Sequence, residues 1–334
     1  MLEVTREQIL AFRRKTNALD KRLPKGKRSL RTAAWAGMQD SMPRAGLLSI
    51  HARVEGAHPL VWDDPSLIQV WGPRYQVYVV AAQDHPLFTL ARLPDSGKLR
   101  ERAFDLTARL ERVMGEERMR DRDAAPAIGV GNAIRYATLT GRLAIRWEGA
   151  RAPVVWLVPE PGISARDALL ELGRRFLHVY GPSTRAAFAR WAGVDAKNAV
   201  TAFAGLKPEL IPVQTPLGEA FVLASDEAAL REKGAKAAGV RFLPSGDAYT
   251  LALTPEERAL IVPDAKQRGE LWTPRVWPGA LLVSGDIVGT WRRSKRSFTI
   301  DTWRKLSAPE GDAVVAEAES LPLPDPGPTV VALN

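Results

Sequence analysis

The chain has 334 residues, 46% hydrophobic and 25% charged, enough apolar content to bury more than one core. Its 47 basic and 38 acidic side chains leave a formal charge of +9, which favours a polyanionic partner. The absence of cysteine excludes disulfides, zinc fingers and thiol catalysis, and four scattered histidines (His51, His58, His85, His178) suggest neither a metal nor a cofactor site. No apolar run reaches membrane-spanning length, and the charged start MLEVTREQILAFRRK lacks the apolar stretch of a signal peptide, so a cytoplasmic protein is expected.

The first predicted element is a helix over residues 5–19, with Thr5 as N-cap and Ile9 and Phe12 on its buried side. Ser29 is placed to cap a second helix carrying Ala33, Ala34 and Trp35, and LLSIHARVEG reads as another after the turn MQDSMPRAG. DPSLIQVWGPR reads as a short helix, and YQVYVVA as a strand from its Tyr and Val content. Helices ending in β structure fit a winged helix over residues 1–92.

Residues 98–117 are charged and helical, with Phe104, Leu106, Leu110 and Val113 as expected core contacts. NAIRYATLTG reads as a further helix, and RLAIRWE with PVVWLV as a hairpin, giving a second unit over 93–162. The GVG at 129–131 lacks a third glycine and a preceding strand, so it is not read as a dinucleotide site.

The third unit, 163–238, is the most complete. Ala165, Leu169, Leu172 and Phe176 recur at helical spacing up to Tyr180. Ser183 or Thr184 can cap a short helix with Phe188 and Trp191, which Gly193 stops, and Asp195 can cap a third with Val200 and Phe203 facing inward. ELIPVQT and EAFVLA around PLG form a hairpin. Three helices followed by a hairpin is the winged-helix order, in which the third helix commonly enters the major groove.

From 239 onward the texture changes to short apolar runs, prolines and a Gly285-Asp286 hairpin, read as a small β-barrel closed by TVVAL. Trp272, Trp277, Trp291 and Trp303 could stack bases, but most of them are expected to fill the core. The fold class is therefore α+β: tandem winged-helix modules with a C-terminal small β-barrel. Three such units cover a duplex site without two-fold pairing, so a monomer on double-stranded DNA is expected.

Basic side chains crowd both ends of the chain. Arg14, Lys27, Arg28, Arg31 and Arg44 are the candidate phosphate contacts near the start, and Arg292, Arg293, Lys295 and Arg296 near the end. With basic groups so spread, binding without strong sequence preference is expected.

The segments MQDSMPRAGLLSIHARVEG, GPSTRAAFARWAG, VRFLPSGDAY and WPGALLVSGDIVGTWRR resemble a family of winged-helix DNA-binding proteins. That family includes bacterial DNA glycosylases for alkylated and crosslinked bases. The resemblance covers nearly the whole chain and implies a DNA-binding cleft. Glycosylases of this family carry Gln-x-Gln or Gln-x-Asp before a short helix, and the matching residues here are Gln39, Asp40 and Ser41. Gln39 matches the first position, whereas Ser41 departs from the motif.

The chemistry suits a glutamine. An N-alkylated purine is already cationic and leaves without a strong general acid, so a placed water is the main need. A glutamine can hold that water through its carbonyl while a carboxylate, here Asp40, stabilises positive charge or accepts a proton. On a helix Asp40 and position 41 point about 100° apart, so Asp40 stands in for it only from a loop. The competing structural reading has Gln39 and Asp40 capping or bridging helices. At the level of function, a DNA glycosylase competes with a non-enzymatic DNA-binding protein, either a regulator or a lesion binder.

Overall fold

The computed structural model describes residues 1–40, 42, 44–149, 151–232, 237 and 239–334. After strand β1 (Leu2–Glu3), helix α1 (Arg6–Thr16) begins as expected, Thr5 and Gln8 closing its first turn in a reciprocal capping box. Helix α2 (Lys27–Ala33) starts after Gly26 rather than at Ser29, which is buried inside the helix instead of capping it. Strand β2 (Met38–Gln39) and helix α3 (Ala45–Arg53) follow.

The stretch read as a short helix is instead strand β3 (Leu67–Trp71), which pairs antiparallel with β4 (Val77–Ala81). Ile68, Val70 and Trp71 suit a pleated surface better than a helix, and burial in a sheet interior decides the matter. Then come α4 (His85–Thr89), α5 (Lys98–Met114), β5 (Met119–Arg120), α6 (Asp121–Ala127), a 3-10 segment over Asn132–Thr140, β6 (Leu143–Arg146) and β7 (Val154–Leu157). On α5 the buried stripe is Ala103, Leu106, Thr107, Leu110 and Met114, while Phe104 and Val113 are exposed by 47% and 43%. Both lie outside that stripe of i, i+3, i+4, i+7 spacing. A six-stranded sheet in the order β2-β4-β3-β6-β7-β5 spans this half of the chain, its halves joined where Gln69 pairs with Ile145.

Helices α7 (Ala165–Tyr180), α8 (Arg185–Ala192) and α9 (Ala196–Leu206) precede a hairpin of β8 (Leu210–Thr215) and β9 (Gly218–Leu223). Ser164, Thr184 and Asp195 each accept a first-turn amide of the helix that follows. Phe176, Phe188, Trp191 and Phe203 fill this core, but Val200 is exposed because the α9 stripe runs through Ala199, Ala202, Phe203 and Leu206. β1 adds to β8 in parallel, making a three-stranded sheet, and α10 (Glu227–Arg231) packs on α1.

The last part holds β10 (Val240–Leu243), α11 (Pro255–Ile261), α12 (Ala265–Leu271), β11 (Gly279–Val283), β12 (Asp286–Ser294), β13 (Ser297–Thr302), α13 (Ala308–Ser320) and β14 (Val330–Leu333). The expected barrel is not formed among the described residues: the five strands make an open sheet in the order β10-β11-β12-β13-β14. β14 joins the outer side of β13 in parallel, while α13 lies along β10 and sends Val314 and Ala318 into the core with Phe242 and Phe298. A helix thus covers apolar surface that strand closure was expected to bury.

Helix α3 is the joint of the molecule. All nine of its residues are buried. Leu47 and Ile50 pack with Trp62 and Val79, Leu48 with the C-terminal sheet, and Ala52 with Tyr249 and Trp272. Among the described residues no helix is long and apolar enough to cross a membrane.

Candidate active site at the Gln39 segment

β2 is a two-residue edge strand on β4, with Gln39 opposite Tyr78. Successive side chains alternate, so Met38 enters the core beneath α3 while Gln39 faces the other way and is half-buried. Its Oε1 accepts a hydrogen bond from Arg74 Nη2 at 2.6 Å and lies 3.3 Å from the Tyr78 hydroxyl. The other terminal nitrogen of Arg74 donates to the Trp191 carbonyl at 2.5 Å.

Arg74 and Tyr75 both hold left-handed backbone angles, with φ of 55° and 57°. Such conformations cost on the order of 1–3 kcal/mol each for non-glycine residues and persist only where the surroundings enforce them. Gly193, the αL cap of α8, is part of those surroundings: a Cβ there would lie 2.9 Å from the Arg74 backbone nitrogen. Tyr75 is held by Arg92 at 4.5 Å from its ring and by Tyr136 edge-on at 5.1 Å.

Asp40 points into the protein and is fully buried. Its Oδ1 accepts the Gly46 amide at 2.9 Å and its Oδ2 accepts Gln69 Nε2 at 2.7 Å. Gln69 in turn accepts the Trp147 amide at 2.7 Å. The carboxyl therefore ties the start of α3 to the seam between β3 and β6, the bridging role that competed with catalysis. Burial pushes its pKa up to about 7, against hydrogen bonds from Gly46, Gln69 and Ala45 and the attraction of Arg146. Ser41 lies outside the described residues.

A pH dependence follows. Between the ordinary 3.8 and about 7 the folded chain keeps a proton that the unfolded chain has lost. This group's contribution to stability is thus complete below pH 3.8, declines as pH rises through the window and levels off above about 7. Its full size is about 4 kcal/mol. Urea denaturation at several pH values should show this decline for the wild type and a flatter profile for Asp40→Asn; equal slopes would contradict it.

The basic candidates separate by environment. Lys27 and Arg28 are exposed at the start of α2. Arg31 is paired with Asp84 through two contacts of 2.9 and 2.8 Å. Arg14 is buried at 9% exposure, bonded to Asp20 at 2.9 Å and to the Gly285 carbonyl at 3.2 Å, so it braces α1 against the β11–β12 turn rather than facing solvent. Arg44 precedes α3 in a left-handed conformation, its guanidinium 6.0 Å from the centre of the Trp62 ring.

On the C-terminal sheet Arg292 and Lys295 are exposed, Arg293 is half-buried 3.9 Å from Asp325, and Arg296 bonds Thr329 at 2.7 Å. Burial lowers the proton affinity of Arg293, Asp325 raises it, and the nearby Arg44 charge lowers it again. Met42, Ala45 and Leu48 from the Gln39 side share a cleft of about 300 Å³ with Arg292, Arg293, Trp277 and Trp291. Two segments far apart in the chain thus meet at the start of α3.

Arg74, Tyr78 and Gln69 were not singled out in the sequence. With β3 read as a helix, the Gly-Pro-Arg turn behind it had no position relative to Gln39.

The family described as "DNA glycosylase AlkZ-like" matches residues 32–322. No curated protein matches the chain. Among solved structures it is similar to the Streptomyces sahachiroi DNA glycosylase AlkZ, with a TM-score of 0.78, 16% identity and 100% of each chain covered. At that identity the likeness speaks for the shared α+β fold. The family match spans most of the chain, including the Gln39 segment, α3 and strands β10–β13 of the C-terminal sheet: the chain belongs to the AlkZ-like DNA glycosylase family.

Proposed function

We propose that the chain hydrolyses the N-glycosidic bond of alkylated purines in duplex DNA, crosslinked ones included, as a cytoplasmic monomer without a metal or cofactor. In this reading Gln39 places the attacking water. The cationic base leaves as a neutral purine with the bonding electrons, water adds to the sugar carbon, and its second proton passes to solvent. No strong base is needed, which agrees with Asp40 being buried away from solvent. The observation that carries the proposal is the motif glutamine itself, its amide held in one orientation by Arg74, on a segment whose Met42 and Ala45 line a cleft together with Arg292 and Arg293.

We read α7–α9 with β8–β9 as a winged helix, and residues 1–92 and 93–162 as two related units joined through their shared sheet. Lys27, Arg28, Arg44, Arg292, Arg293, Lys295 and Arg296 are assigned to the phosphate track. If about five phosphates are neutralised, the slope of log affinity against log salt is roughly −4 to −5. Fluorescence anisotropy across a salt series measures this, and a slope near zero removes the track.

Incubation with a duplex carrying N7-methylguanine, followed by cleavage of abasic sites, tests the function. Release of base is expected. Tight binding with no release from any alkylated duplex would instead leave a lesion binder, with Ser41 as the departure that removed the chemistry.

A further inference from the structure

We propose that Arg74 is a positioning residue for the glycosidic step, fixing which way the Gln39 amide faces; this rests on Gln39 acting in base release. A glutamine amide offers an acceptor at one end and two donors at the other, and its neighbours decide which end faces the reaction. Arginine only donates. The 2.6 Å contact from Arg74 Nη2 therefore requires oxygen at that end, since a flipped amide would set N–H groups against a cation.

Tyr78 reinforces the choice. Its hydroxyl lies 3.3 Å from both Arg74 Nη2 and Gln39 Oε1, so it can accept from the first and donate to the second. Oxygen thus faces Arg74 and Tyr78 rather than the water it was expected to hold, and the nitrogen end is the one turned away from them. Polarisation of the carbonyl by the guanidinium also strengthens the amide N–H groups as donors.

Arg74 is in turn fixed from the third helical unit. Its Nη1 donates to the Trp191 carbonyl at 2.5 Å, and Gly193 leaves the space its left-handed backbone needs. A single guanidinium therefore links the β3–β4 turn, the Gln39 strand and the end of α8. It touches no reacting atom, so its effect reaches the reaction only through Gln39.

The test uses the full chain with Arg74→Met and Arg74→Lys, read in two ways. In protein labelled with 15N-glutamine, with the Gln39 side-chain signals assigned by their loss in Gln39→Ala, Arg74→Met should move both amide proton shifts toward free-glutamine values. Arg74→Lys should move them less. On an N7-methylguanine duplex at saturating enzyme, Arg74→Met should slow single-turnover base release by about tenfold to a hundredfold, with DNA affinity nearly unchanged. In a Gln39→Ala background the same change should add little, because the two residues act as a unit.

Unchanged Gln39 amide signals in both variants would overturn the proposal whatever the activity. So would losses from Gln39→Ala and Arg74→Met that multiply, as expected of independent structural damage. Shifted signals in a wild type that releases no base would uphold the positioning by Arg74 and refute the glycosylase reading instead.

Discussion

Gln39→Ala is expected to bind alkylated duplex almost as the wild type does and to lose about a hundredfold or more in base release. A hundredfold corresponds to about 2.7 kcal/mol of lost transition-state stabilisation. A water held in line with the departing base needs only one well-oriented amide, and alanine removes it without touching the candidate phosphate contacts. Single-turnover kinetics with excess enzyme separates this from a binding defect. The substitution also strips Arg74 Nη2 of its 2.6 Å acceptor, so some stability is lost and the assay belongs well below the melting temperature. Ser41→Gln and Ser41→Asp restore the residue types of the family motif and should raise release. A Gln39→Ala variant as fast as the wild type would move the chemistry elsewhere.

The largest effect on stability is expected at Asp247. Arg53 and Asp247 are exposed by only 1% and face each other through contacts of 2.7 and 2.8 Å. Ser49 and the Tyr249 amide also donate to the carboxylate, and Asn17 accepts from Arg53. Asp247→Ala leaves a guanidinium buried without its counter-charge and should cost about 3–5 kcal/mol in chemical denaturation. Replacing the pair together, Arg53→Met with Asp247→Leu, should cost less than the single change, because no charge then remains buried. Burial alone raises the Asp247 pKa, but Arg53 and the hydrogen bonds outweigh it and hold it low. The pair's contribution is thus present above the ordinary carboxylate range and lost as pH falls through the depressed value. A single-mutant loss under about 1 kcal/mol would show the pair to be dispensable. Asp247 follows Pro244 and Ser245, which line the cleft, so weakening it should loosen the C-terminal sheet from α3.

What was legible in the sequence was local. Thr5, Thr184 and Asp195 announced helix starts and Gly193 a helix end, because capping is settled within one turn of chain. Trp272 and Trp291 lie in the core as expected. Gln39 stood out through the family motif, not through its surroundings. Errors arose where distant partners decide: β3 is a strand because β4 and β6 flank it, and the last strand pairs with β13 because α13 covers the other side. The inward direction of Asp40 depends on Gln69, 29 residues away, and the orientation of Gln39 on Arg74, 35 residues away. No spacing rule reports such pairs.

The parallel seat of β1 on β8 also bears on how the chain is made. Ile9 and Phe12 of α1 bury against Val213, Val222 and Leu260, Arg13 bonds the Tyr180 and Gly181 carbonyls, and Arg6 bonds those of Leu260 and Ile261. Every one of these partners is translated long after the helix that needs it. At ordinary ribosomal rates roughly 200 intervening residues take about 10–40 s, during which the apolar face of α1 waits uncovered. Contacts of such sequence separation also make for slow folding. Helix α1 is therefore among the last elements to dock although it is made before its partners, and a nascent chain stalled before residue 213 exposes Ile9 and Phe12 to chaperones and proteases.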